Sequence, residues 1–89
     1  MKTTQVTVTT AAAKIAGGSP IANVDKAVHV TVAAAGQTVF FGAANVTAAN
    51  GYPVVTGANF TFYVGPGDDL YAIVAGTTQA INVLEMRTA

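Results

Sequence analysis

Val28, Val30 and Val32 alternate with His29 and Thr31, and this spacing fits only one kind of backbone. Successive side chains of a β-strand point to opposite faces, so a period of two builds one apolar and one polar face; a helix would scatter the same valines around its axis. The pattern recurs. Val6 and Val8 alternate with Gln5, Thr7 and Thr9, and Phe60, Phe62 and Val64 alternate with Thr61 and Tyr63. Residues 38–42, 70–75 and 80–86 are further runs rich in β-branched or aromatic side chains, which pack well on a pleated surface.

Turn signals separate these runs. Asn50-Gly51 suits a two-residue type I′ hairpin, and Gly65-Pro66-Gly67-Asp68 sets Pro and Gly at the central positions of a type II turn. Asp68 is expected to close that turn by accepting backbone N–H bonds while Asp69 opens the next strand. Gly17-Gly18-Ser19-Pro20 reads as a looser loop, and Gly36 and Gly76 mark further reversals. Residues 11–16, Ala-Ala-Ala-Lys-Ile-Ala, are too short for a stable isolated helix and serve equally as a strand with small side chains. The spacing predicts an all-β, single-domain antiparallel β-sandwich or small barrel of about six to eight short strands. It spans residues 1–89, with 1–10 a first strand or an extended N-terminal arm.

A chain of 89 residues builds one small core, and this one has neither a cysteine for a disulfide nor more than one histidine for a zinc site. Association with copies of itself or with a partner is the remaining source of added stability. The net charge is zero, and Lys2, Lys14, Lys26 and Arg87 are scattered, so no basic surface for nucleic acid is expected. The N-terminal residues hold no apolar secretory core and the most apolar run is half a membrane span, which predicts a protein soluble and intracellular when made, with no membrane partner.

Residue types that carry chemistry do not cluster. Ser19 lies in a Gly-Pro loop ten residues before His29, with no nucleophile elbow around it. Asp68 and Asp69 are adjacent, so on a strand they face opposite ways and cannot easily share one cation. Gly51, Gly57, Gly65 and Gly67 match no phosphate-binding spacing and read as turn glycines. No catalytic residue, metal or cofactor is expected. Tyr52, Tyr63 and Tyr71 are aromatic enough to form a sugar platform, or to bury their rings in an interface.

Residues 38–85 carry a recognisable succession: an aromatic strand ending at Gly42, "VTAANG" and then Pro53, a strand after Gly57, the "GPGD" corner with "LYA", and a closing Val83-Leu84-Glu85. This succession resembles small all-β proteins encoded among the virion-assembly genes of tailed bacteriophages. The likeness extends weakly into residues 1–37, and where relatives often show Arg and Asn around the second strand this chain has Lys26, His29, Ala33 and Ala34.

The resemblance implies a head-associated structural protein, a decoration or cement protein bound to the major capsid protein or another virion protein on the capsid surface. Fibre and adaptor roles, or a carbohydrate-binding module displayed on the virion, are the alternatives. It implies a homo-oligomer, with a trimer favoured by the threefold sites of icosahedral shells, and it transfers no active site. Expected contact residues are Lys2, Thr3, Thr4 and Gln5 in the N-terminal segment 2–10, His29, the three tyrosines, and Met86 and Arg87 at the C-terminal end.

Overall fold

The computed structural model describes residues 2–19, 22–33 and 36–86. Eight strands follow one another: β1 (Lys2–Val8), β2 (Ala13–Gly17), β3 (Lys26–Val32), β4 (Val39–Gly42), β5 (Tyr52–Val54), β6 (Asn59–Val64), β7 (Asp69–Ile73) and β8 (Gln79–Glu85). They form two four-stranded sheets, ordered β1-β8-β3-β6 and β2-β7-β4-β5, with every pairing antiparallel.

The pairings obey one rule. First pairs with last, second with seventh, third with sixth and fourth with fifth, so the chain is one long hairpin, bent between β4 and β5, whose successive pairs alternate between sheets. That is the strand order of a jelly roll. Between a sandwich and a closed barrel, the strand order selects the sandwich, because β1 and β6 end one sheet and β2 and β5 end the other.

The period-two pattern becomes the core. Val8, Val28, Val30, Val32, Ile81 and Val83 turn inward from the first sheet to meet Ile15, Val39, Phe41, Val54, Leu70, Ala72 and Val74 of the second. Fully burying each large aliphatic or aromatic side chain contributes about 1.5–3 kcal/mol. Two strands were hidden from the period. In β2 the register shifts between Lys14 and Ala16, so Ile15 and Ala16 are both buried and the alternation is lost. β5 is three residues long and contains Pro53, which is tolerated because this strand lies at an edge. Residues 2–9 are no free arm: β1 pairs with β8 along its whole length, and Thr9 beyond it accepts the N–H of Val74, just after β7, at 3.0 Å.

The corners divide. Gly65-Pro66-Gly67-Asp68 forms the expected type II turn, with Gly67 at φ 85°. It is closed by the Asp68 N–H donating to the Gly65 carbonyl at 3.1 Å, not by the Asp68 carboxylate. Asn50-Gly51 forms no type I′ turn, since neither residue has a positive φ. Instead residues 43–51 curl over the outside of the second sheet and bury Val46. Gly51 is needed there because a Cβ would stand 2.6 Å from the Cβ of Phe40 and 2.9 Å from Cγ2 of Val46.

The Gly17-Gly18-Ser19 segment is anything but loose. A Cβ on Gly18 would lie 2.1 Å from the Gly65 carbonyl oxygen and 2.3 Å from that of Asp68, so the loop after β2 presses its backbone against the type II turn. Gly18→Ala is therefore expected to destabilise the protein by about 1–3 kcal/mol, the range for forced overpacking. Chemical denaturation measures it, and an unchanged midpoint would contradict this packing.

Among the described residues four polar or charged side chains are buried: Ser19, Lys26, Gln79 and Glu85. Lys26 and Glu85, at the ends of β3 and β8, form an ion pair with both side chains less than a tenth exposed. Gln79 is buried and accepts the Gln37 N–H at 2.8 Å, while the Gln37 side-chain amide donates to the Gly76 carbonyl. These bonds tie the loop before β4 to the loop before β8.

Candidate interaction surfaces

The outer face of the first sheet is built by the residues between the core valines. Thr3, Gln5 and Thr7 of β1, Ala80, Asn82 and Leu84 of β8, Ala27, His29 and Thr31 of β3, and Asn59, Thr61 and Tyr63 of β6 stand in register across it. Among the described residues no Asp, Glu, Lys or Arg occupies it. Lys2, Lys26 and Glu85 fall on the inward register, and the other described charges lie in loops or the second sheet. Outer faces of antiparallel sheets normally carry charge to hold water, whereas charge is depleted at the centre of protein–protein interfaces.

This face is also shaped. His29, half-buried, bonds through Nδ1 to Oγ1 of Thr61 at 2.8 Å, across the β3–β6 pairing. Beside it Thr3, His29, Thr31, Asn82, Val83 and Leu84 line a shallow hollow of about 250 Å³. The arrangement offers hydroxyls, amides and one imidazole for hydrogen bonding at low desolvation cost compared with fixed charges.

A second surface lies on the flank where the sheet edges β5 and β6 approach. Phe41 is buried at its floor, its ring 5.0 Å from that of Phe62; Phe60 lies 4.8 Å from both Phe62 and Tyr52. The cluster runs outward into solvent, with Phe60 38% and Tyr52 50% exposed. Val55, just after β5, and Tyr63, on β6, are also exposed large hydrophobics. The contiguous cluster of Tyr52, Phe60 and Phe62 is an apolar patch of the kind that marks an interaction site more often than a bare surface. Phe60 thus shares the side of β6 that Phe62 takes, in keeping with the alternation of residues 60–64, but at the open flank.

The opposite flank, between β1 and β2, is different. Lys2, Lys14, Ile15, Ala16, Gly17 and Glu85 line a groove there of about 360 Å³. Lys14 and Asp69 form a solvent-exposed pair at 3.4 Å, of little energetic weight.

The expected contact residues therefore do not form one site. Thr3, Gln5, His29 and Tyr63 share the uncharged face; Thr4 is half-buried on the inner side of β1, and Lys2 lines the opposite groove. Met86 follows β8, exposed, its N–H donating to the Ala27 carbonyl at 3.0 Å. Arg87 lies outside the described residues. The tyrosines separate onto three surfaces: Tyr63 on the outer face of the first sheet, Tyr71 on that of the second, and Tyr52 on the aromatic flank. They make no common platform. The flank's exposure of Phe60 was not foreseen, because period alone does not show which strand ends a sheet.

Among the described residues no group of three or more His, Asp or Glu is placed to hold a metal, and no helix is long and apolar enough to cross a membrane. Compared with known proteins, the chain matches no protein-family model, no curated protein and no solved structure.

Proposed function

We propose that this is a non-enzymatic bacteriophage virion protein, a capsid decoration or cement protein that binds the head shell as a homo-oligomer. The observation that carries the reading is the uncharged outer face of the first sheet, a four-stranded surface of Thr, Asn, Gln, His, Leu and Tyr with a hollow at its centre. Such a face meets a neighbouring protein without stranding ions. The succession of corners in residues 38–85 supplies the virion context by resemblance, and jelly rolls serve many unrelated roles, so the fold itself does not choose among them.

The mechanism is adhesion. A protein that binds the assembled shell and not its dissociated subunits shifts the equilibrium toward the shell by mass action. Its work is done by contact area and hydrogen bonds, and it needs no chemical step. The capsid protein is its partner, and the virion surface its location. The sugar-binding alternative loses its main support with the three tyrosines on separate surfaces.

Heat-release measurements on virions of the phage carrying the gene test this reading. Shells lacking the protein are expected to release their DNA at a lower temperature than complete shells. Equal release temperatures would contradict a cement role.

A further inference from the structure

Four strands end the two sheets, and three of them carry devices that discourage pairing with another chain. β1 has an inward-register lysine, Lys2; β2 has Lys14 and a register shift; β5 is short and contains Pro53. β6 has none. Its sequence, Asn-Phe-Thr-Phe-Tyr-Val, has no charge, no proline and no glycine, and it pairs with β3 in unbroken register. Such a six-residue segment at an open edge is a template for another strand.

The backbone of β6 is oriented for that use. Val32 donates its N–H to the Ala58 carbonyl, whereas on the other side of β3 Ala33 donates to Ala80 and Met86 donates to Ala27. Hydrogen-bonded pairs alternate along an antiparallel ladder, so the even residues of β3 bond toward β6 and the odd ones toward β8. In β6, then, Phe60 and Phe62 face β3 with their N–H and C=O groups. Asn59, Thr61 and Tyr63 present theirs at the free edge.

We propose that this edge pairs with the same edge of a second copy of the chain, antiparallel about a twofold axis through Thr61. This rests on the reading of the protein as a self-associating structural protein and deepens it. A twofold axis perpendicular to the sheet keeps outer faces together, so it must place residues of equal parity opposite each other. Centring on Thr61 sets Thr61 against Thr61 of the second copy and Asn59 against Tyr63, and uses every outward-facing backbone group of the strand. Phe60 then lies opposite Phe62 of the second copy on the inner side, an aromatic cross-strand pair.

Three observations converge on this occupant. The strand is uncharged, so it can meet itself without repulsion; the exposed Tyr52, Phe60 and Tyr63 lie on or beside the same edge; and the remaining edges are blunted. The two first sheets become one eight-stranded sheet, and their uncharged outer faces become one continuous surface turned toward the shell. The dimer replaces the trimer expected from icosahedral symmetry.

The native chain contains no cysteine, which makes the test clean. In a hydrogen-bonded antiparallel pair the Cα atoms lie about 5.5 Å apart, within the span of a disulfide. Purified Thr61→Cys protein is expected to form a disulfide-linked dimer under mild oxidation at least about tenfold faster than Asn82→Cys, which lies on the face of the same sheet. Thr61→Pro removes a donor that faces the free edge without breaking the β3–β6 ladder. It is expected to raise the dimer dissociation constant about tenfold or more by light scattering, with the circular dichroism spectrum unchanged. Wild-type protein that stays monomeric at millimolar concentration, or a Thr61→Cys protein that cross-links no faster than Asn82→Cys, would overturn the proposal. Both measurements use the isolated protein, so they succeed or fail independently of the heat-release comparison.

Discussion

Lys26→Met is expected to destabilise the protein by about 3–5 kcal/mol, as measured by urea denaturation. The cause is what remains. Glu85 sits on the inward face of β8, 7% exposed, and its direct partner is the Lys26 ammonium. Removing that partner leaves a largely buried carboxylate, at the wall of the groove between β1 and β2, without its counter-ion. Lys2, the register partner of Glu85 on β1, is exposed, and among the described residues no ion pair joins it to Glu85. The double substitution Lys26→Met with Glu85→Leu is expected to recover most of the loss, because an apolar pair of similar volume is often as stable as the buried ion pair it replaces. A single substitution costing less than about 1 kcal/mol would show that the pair is open to water.

Phe41→Ala is expected to cost about 3–5 kcal/mol, the range for removing a fully buried aromatic ring. Phe41 is 1% exposed on β4 and its ring meets Phe62, which in turn meets Phe60 and Tyr52. It is the floor on which the exposed aromatic flank is built. The lost transfer free energy and the cavity add, because the facing β-strands are held by their ladders and cannot collapse into the space. Tyr63→Ala serves as the contrast: its side chain is 72% exposed, and in the monomer the change is expected to stay within about 0.5 kcal/mol. Thermal unfolding of both variants, at concentrations where the chain is monomeric, checks the difference. Equal effects would contradict the placement of Phe41 in the core and Tyr63 on the face.

Both substitutions act on features the sequence shows unequally. Val28, Val30 and Val32 are legible as an inward row because nothing interrupts β3, and the same holds for Ile81 and Val83 in β8. Lys26 breaks that legibility. It occupies the inward register ahead of the valines, and only the position of Glu85 across the sheet, 59 residues on, explains how a charge is tolerated there. Residues 11–16 were ambiguous because the register shift in β2 turns two neighbours inward, a pattern with no period. Asn50-Gly51 carried a turn signal that local preference alone supports, and it was overridden by Val46, whose burial over the outside of the second sheet draws residues 43–51 into a longer loop.

The candidate surfaces follow the same division. The alternation around Thr61 marks Tyr63 as outward, and His29 is visible as the polar residue between two core valines. That the whole face lacks charge is not visible until the register brings β1, β8, β3 and β6 side by side. The edge position of β6 is likewise a property of strand order. Pairing of residues far apart in sequence is set by the closing of the entire jelly roll, which no local window contains.

The uncharged face is the surface proposed to meet the shell, and add-back to shells stripped of the protein measures that contact directly. Wild-type protein is expected to co-sediment with such shells to saturation. Asn82→Lys and Asn82→Glu, which set opposite charges at the same exposed point of the face, are both expected to bind about tenfold or more weakly, because either ion must lose its water in the contact. Undiminished binding of both variants would contradict the account.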